Sequence, residues 1–184
     1  MKIDYSEQML TWYWDSTDIK IELPDIIHAE YNKDENMVLV YSGENFITQT
    51  IVYYSLEGKL LGQQNVSEET FEWNYNGQHQ IGFRHLYHLR FSPKYQRIFS
   101  IFRSSIDFDV PSELEVYNLE GEKIDQIESP AGFTMLYISD ISKEKLRIVC
   151  ETLNEDCFDS SGRSDFYFNL DLETRKWIKD GFAY

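Results

Sequence analysis

The stretch YHLRFSPKYQRIFSIF, Tyr87–Phe102, decides how this chain is read. Apolar and aromatic residues fill both halves. Ser92–Pro93–Lys94–Tyr95 makes a polar centre, so the stretch predicts two strands around a tight turn. Two other stretches echo it: IHAEYNKDENMVLVY, Ile27–Tyr41, and LYISDISKEKLRIVC, Leu136–Cys150. Their turns, at Lys33–Glu35, Pro93–Gln96 and Lys143–Lys145, recur at intervals of about 60 and about 50 residues, which marks an internal repeat.

Each echo is followed by a second hairpin: YYSLEGKLLG from Tyr53, VYNLEGEKIDQI from Val116 and FNLDLETRKWI from Phe168. A fourth copy, YWDSTDIKIEL from Tyr13, opens the chain. In it Ile19, Ile21 and Leu23 alternate with Lys20 and Glu22, the pattern of a half-buried strand, and Pro24–Asp25 ends it. Residues 65–85 do not fit the repeat. They predict an inserted hairpin, TFEWNY and HQIGFR, around the Asn76–Gly77 turn signal. No long stretch carries a 3.6-residue apolar period, so the chain is predicted to be nearly all β.

The residues FSPKYQRIFSIF resemble the hairpin that joins the first and second strands of a blade in WD-repeat and TolB-like β-propellers. VYNLEGEKIDQI resembles the third-to-fourth-strand hairpin of the same blades. No WD dipeptide or GH signature stands in register, so the resemblance is to propeller blades rather than to the WD-repeat family itself. It implies one all-β domain over residues 1–184, of antiparallel four-stranded meanders in a small, roughly four-bladed β-propeller-like arrangement. The expected parts are a half blade at 9–24, a blade at 26–64, the inserted hairpin at 65–85, and blades at 86–128 and 133–181. Open twisted sheets or a two-sheet sandwich would use the same meanders.

Composition narrows the function. The chain has 184 residues, with 32 Asp and Glu against 17 Lys and Arg, for a net charge of −15. Such a field repels nucleic acid and anionic membrane and attracts cations and basic proteins. Acidity for solubility alone would have the same sign. Aromatic residues make up 16%, a composition that suits pleated, half-buried surfaces. No apolar run reaches the length of a membrane span, and Asp4 and Glu7 interrupt the N-terminus early, so a cytoplasmic protein is expected. Cys150 alternates with Leu146 and Ile148 and reads as a small core residue. Cys150 and Cys157 are expected as free thiols, with a hairpin disulfide as the other possibility.

The blade topology sorts the charges. Loops joining second to third strands, and blades to each other, would carry Asp25, Glu44, Glu68, Glu69, Glu72, Asp107, Asp109, Glu113, Glu128, Glu155, Asp156, Asp159 and Asp165, against only Arg84, Arg103 and Arg163. The opposite turns would carry Glu7, Asp15, Asp18, Asp34, Glu35, Glu57, Glu120, Glu122, Glu144 and Glu173, set against eight Lys and Arg. The longer loops also fall on the acidic side, where binding usually resides. The candidate partner-binding residues are therefore Glu68, Glu69, Glu72, Trp73, Tyr75, Asp107, Asp109, Glu155, Asp156, Asp159 and Asp165. Trp73 and Tyr75 serve either as exposed contacts or as packing of the inserted hairpin.

Enzyme signatures are sparse. His85 and His88, three apart in a strand, would point to opposite faces, and no third ligand has zinc-like spacing. The carboxylates near Asp107 and Glu155 lack the calcium-loop pattern. No nucleophile elbow, phosphate-binding loop or dinucleotide fingerprint occurs. The expectation is a non-enzymatic module, without metal or cofactor, whose acidic loops bind a basic protein. An immunity-type inhibitor of a nuclease toxin is the sharpest example. The alternative is a carbohydrate or cation binder, or a glycoside-active enzyme, using the loop carboxylates.

Overall fold

The computed structural model describes residues 1–103, 112–152, 154, 158 and 161–183. The described chain is almost entirely antiparallel β-structure, in two compact units, Met1–Phe83 and Arg84–Tyr184.

The first unit holds two sheets. One has three strands in sequence order: β1 (Ile3–Tyr5), β2 (Met9–Trp14) and β3 (Thr17–Glu22). The other has six, also in order: β4 (Ile26–Asn32), β5 (Met37–Ser42), β6 (Thr50–Ser55), β7 (Leu60–Asn65), β8 (Thr70–Asn74) and β9 (Gln78–Gly82). The second unit holds two four-stranded sheets. One runs β10 (Leu86–Ser92), β11 (Arg97–Phe102), β12 (Glu113–Asn118) and β13 (Lys123–Glu128). The other runs β14 (Phe133–Ile141), β15 (Lys145–Thr152), β16 (Asp165–Asp171) and β17 (Trp177–Phe182). Every sheet is an up-and-down meander, the connectivity of a propeller blade.

Local chemistry sets the turns. β10 and β11 pair from Ser92↔Arg97, so the turn is 93–96. The Gln96 amide donates to the Pro93 carbonyl, Gln96 takes a φ of 55°, and Ser92 Oγ accepts the Tyr95 amide. The β4–β5 turn copies this. Asn32 Oδ1 accepts the amides of Asp34 and Glu35, and Asn36 takes a φ of 52°. The third echo differs: β14 runs on to Ile141 and absorbs its extra length as two bulges. The Leu-Glu-Gly turns at 56–58 and 119–121 also match. Gly58 and Gly121 have φ of 82° and 87°, and Leu56 and Leu119 turn back into the interior. A Cβ on Gly58 would come within 2.7 Å of Ile19 Cγ2, so this turn needs glycine for space as well as for backbone.

Two readings change. Residues 3–5 form a strand that pairs with β2, so the opening element has three strands, not two. The hairpin at 65–85 is present, but β8 pairs with β7 from Gly62↔Trp73 to Asn65↔Thr70 and extends the blade sheet as its fifth and sixth strands.

Each unit has its own core. In the first, Leu10 and Trp12 pack with Ile26, Val38, Val40, Val52 and Leu56, and the buried Trp12 Nε1 donates to the Leu56 carbonyl at 2.7 Å. In the second, Phe99, Ile101, Leu114 and Val116 from one sheet meet Met135, Leu146, Ile148, Phe166 and Phe168 from the other. Cys150 is a free thiol in that core. Burial raises its pKa well above the ordinary thiol value and keeps it protonated. Cys157 lies outside the described residues.

Candidate functional site

In an antiparallel meander alternate turns share an end, so the first unit sorts its connections into two groups. Segments 6–8, 23–25, 43–49 and 66–69 lie at one end, and 15–16, 33–36, 56–59 and 75–77 at the other. Backbone hydrogen bonds lace the first group together. Ile26 donates to Glu7, Gly43 to Asp25, Val66 to Gln49 and Phe83 to Glu69, at 2.8–3.0 Å.

This end is acidic. Its four segments contribute Glu7, Asp25, Glu44, Glu68 and Glu69 and contain no Lys, Arg or His. Glu7, Asp25 and Glu44 line one open hollow of about 400 Å³, with Ile26, Ile27 and Phe46. Among the described residues Glu7, Asp25, Glu44 and Glu68 take part in no ion pair. The opposite end mixes signs, with Lys33 and Lys59 beside Asp15, Asp34, Glu35 and Glu57.

Glu7 is a correction. The sequence places it with the balanced turns, because only two strands were read before Pro24. With β1 paired to β2, the turn that carries Glu7 moves to the acidic end, beside Asp25.

The other expected residues divide. Glu68 is exposed and Glu69 half-buried in the β7–β8 turn, as part of this end. Glu72 is exposed within β8, where it accepts a hydrogen bond from Gln80 at 3.0 Å. Trp73 is 1% exposed and is no surface contact. It stacks between Phe71 and His79, at ring distances of 5.4 and 5.3 Å, and so belongs to packing of the hairpin. Tyr75 is half-buried, and its carbonyl lies 2.8 Å from His79 Nε2. Asp165 is half-buried at the start of β16, in the second unit, hydrogen-bonded to Ser164. Asp107, Asp109, Glu155, Asp156 and Asp159 lie outside the described residues.

No family model matches the chain, and no curated protein does. Among solved structures the chain is similar to the N-terminal domain of Nup159. The TM-score is 0.44 and the identity 13%, over 97% of this chain and 57% of that one. A structure of S. cerevisiae Dbp5 bound to Nup159, Gle1, IP6 and ADP gives a TM-score of 0.44 and 10% identity, over 97% of this chain and 60% of the other. The chain thus spans less than two-thirds of the length of the chains it resembles.

Two further features bear on chemistry. Among the described residues, no group of three or more His, Cys, Asp or Glu is placed to hold a metal ion. The second unit has a hollow of about 440 Å³ at its short-turn end, floored by Tyr95, Phe99 and Val116. Its rim alternates Lys94, Arg97 and Lys143 with Asp125, Glu144 and Glu173. Its charge is mixed, as the short turns imply.

The sequence reading passed over Phe46 and Ile47, in the segment between β5 and β6. They are 89% and 66% exposed. Their signal is visible in hindsight: two large apolar residues inside an otherwise polar loop, GENFITQ, bounded by glycine.

Proposed function

We propose that this chain is a non-enzymatic protein-binding module that receives a basic protein on the acidic end of its first unit. One observation carries the reading: five turn carboxylates gather at that end, in segments that hold no cationic side chain. Carboxylates clustered on short, hydrogen-bonded turns give a fixed negative field, which steers a positively charged partner and sets its orientation. A nuclease toxin is the sharpest candidate, since a cleft built to attract phosphate would accept carboxylates in its place.

The test compares two triple variants. Glu7→Lys, Glu44→Lys and Glu68→Lys reverse charge at the acidic end; Asp18→Lys, in β3 beside the 15–16 turn, with Asp34→Lys and Glu57→Lys makes the same charge change at or next to the other. Basic proteins captured from the native host by the wild type should be retained by the second variant and fall at least about tenfold with the first. Equal capture by both, with unchanged circular dichroism, overturns the reading. So does a thermal shift with Ca²⁺, Mn²⁺ or a glycan panel that the first variant abolishes, because it would assign the same carboxylates to a small ligand.

A further inference from the structure

We infer that Phe46 and Ile47 are the apolar anchor of this acidic end, a preformed tip that enters an apolar socket on a basic protein. The inference rests on the reading of that end as a docking surface and names what the partner must present.

The fold makes no use of these two side chains. Phe46 is 89% exposed and Ile47 66%, and Val66, in the next turn at the same end, is 38% exposed. Apolar side chains grouped in this way on an acidic protein mark a contact surface rather than random exposure. The tip is also held in place. The Ile47 amide donates to the Glu44 carbonyl and the Gln49 amide to the Ser42 carbonyl, both at 2.9 Å. The loop closes over Gly43, where a Cβ would lie 2.1 Å from the Ile47 carbonyl oxygen. Phe46 itself sits at a φ of 61°, a conformation bulky residues rarely adopt. An anchor fixed in advance loses little freedom on binding.

The surroundings choose the partner. Glu44 is two residues from Phe46, and Glu7 and Asp25 line the same hollow as residue Phe46. An apolar centre inside a charged rim is the anatomy of a binding hot spot. A carboxylate rim rejects nucleic acid, anionic membrane and a second copy of this chain at net charge −15, and it fits a socket ringed by Lys or Arg.

Two synthetic peptides of equal charge test this: one of Lys and Ser, and one of Lys and Leu that presents an apolar stripe between the lysines. The full chain should bind the Lys–Leu peptide more tightly. Phe46→Gly with Ile47→Ser should weaken that binding about 10- to 30-fold and leave the Lys–Ser peptide unchanged. Glycine suits the left-handed position, so this variant keeps the loop, and circular dichroism checks the fold. Glu44→Lys should weaken both peptides. Equal binding of the Lys–Leu peptide by wild type and Phe46 variant overturns the anchor while the acidic end stands. Failure of Glu44→Lys to weaken either peptide overturns the acidic end itself. Phe46-dependent self-association, or Phe46-dependent sedimentation with phosphatidylcholine vesicles, also overturns the proposal, by giving the tip a different occupant.

Discussion

In the first unit four lysines and no arginine face 14 acidic residues, for a net charge of −10. In the second, 13 Lys and Arg face 18 acidic residues, for −5. The second unit spends its cations on itself. Arg175 pairs with Asp125 at 2.7 Å, Lys123 with Glu115 at 2.9 Å and Arg147 with Asp180 at 3.0 Å. Arg147 also covers the Tyr167 ring and Lys179 the Phe166 ring, at 4.0 and 3.4 Å. The first unit has few cations, and at its turn end Glu7, Asp25, Glu44 and Glu68 face solvent without ion pairs among the described residues. The same blade-like meanders therefore carry different charge: partly paired within the second unit, and, among the described residues, without ion pairs at the acidic end of the first. Three measurements test this contrast, in addition to the binding tests.

The largest effect concerns the hairpin that, among the described residues, only the first unit has. Trp73 is fully buried, with Phe71 on one side of its ring and His79 on the other. Trp73→Ala should cost about 3–5 kcal/mol, the range for a large aromatic removed from a packed interior. Amide hydrogen exchange should show protection lost across β6–β9 and kept across β14–β17. Equal loss in both places would show that the two units unfold as one, and the contrast would then concern charge alone.

The second effect is a pH dependence carried by the second unit. His88 lies in β10, and burial, with the nearby Arg90 charge added, lowers its pKa from the ordinary 6.5 to about 4. A depressed imidazole binds its proton less readily in the folded state than in the unfolded one. Stability is therefore complete above the unfolded value and is lost as the pH falls from about 6.5 towards about 4, by up to about 3 kcal/mol. His88→Gln should lack that slope, so the stability difference between the two proteins should change with pH over this range. Parallel curves over this range would show that His88 stays accessible to protons in the fold.

How much of this was legible beforehand depended on the kind of signal. The Leu-Glu-Gly turns could be read because the left-handed position admits glycine so much more readily than other residues, and both copies took the same backbone. β1 could not: Ile3–Tyr5 is three residues long, holds a single apolar pair around Asp4, and is a strand only because β2 offers it an edge. Missing it misplaced Glu7, since one added strand reverses the end at which a turn emerges. The hairpin at 65–85 was read correctly as a hairpin. Its attachment was not, because pairing between Gly62 and Trp73 is a tertiary fact with no local pattern. Trp73 carried both meanings in sequence, and only burial separates them. Phe46 was missed for the opposite reason, since an apolar residue is taken for core unless the fold shows that no core lies within its reach.

The smallest effect is the most direct probe of the contrast. Raising salt from about 0.05 to about 0.5 M shortens the screening length from well over 10 Å to a few Å. Repulsion among the carboxylates at the first unit's acidic end should then weaken, and hydrogen exchange of the backbone amides there, Gly43, Ile47 and Val66, should slow by an amount worth a few tenths of a kcal/mol. The second unit has less net charge and has ion pairs to lose. Arg175–Asp125 and Lys123–Glu115 are partly exposed, so each contributes little and less at high salt. Amides of Asp125 and Tyr117 should therefore exchange slightly faster or unchanged. Opposite signs in the two units would locate the charge imbalance in the turns named here. The same sign in both would mean that the −15 acts as one diffuse field, and that the acidic end holds no privileged share of it.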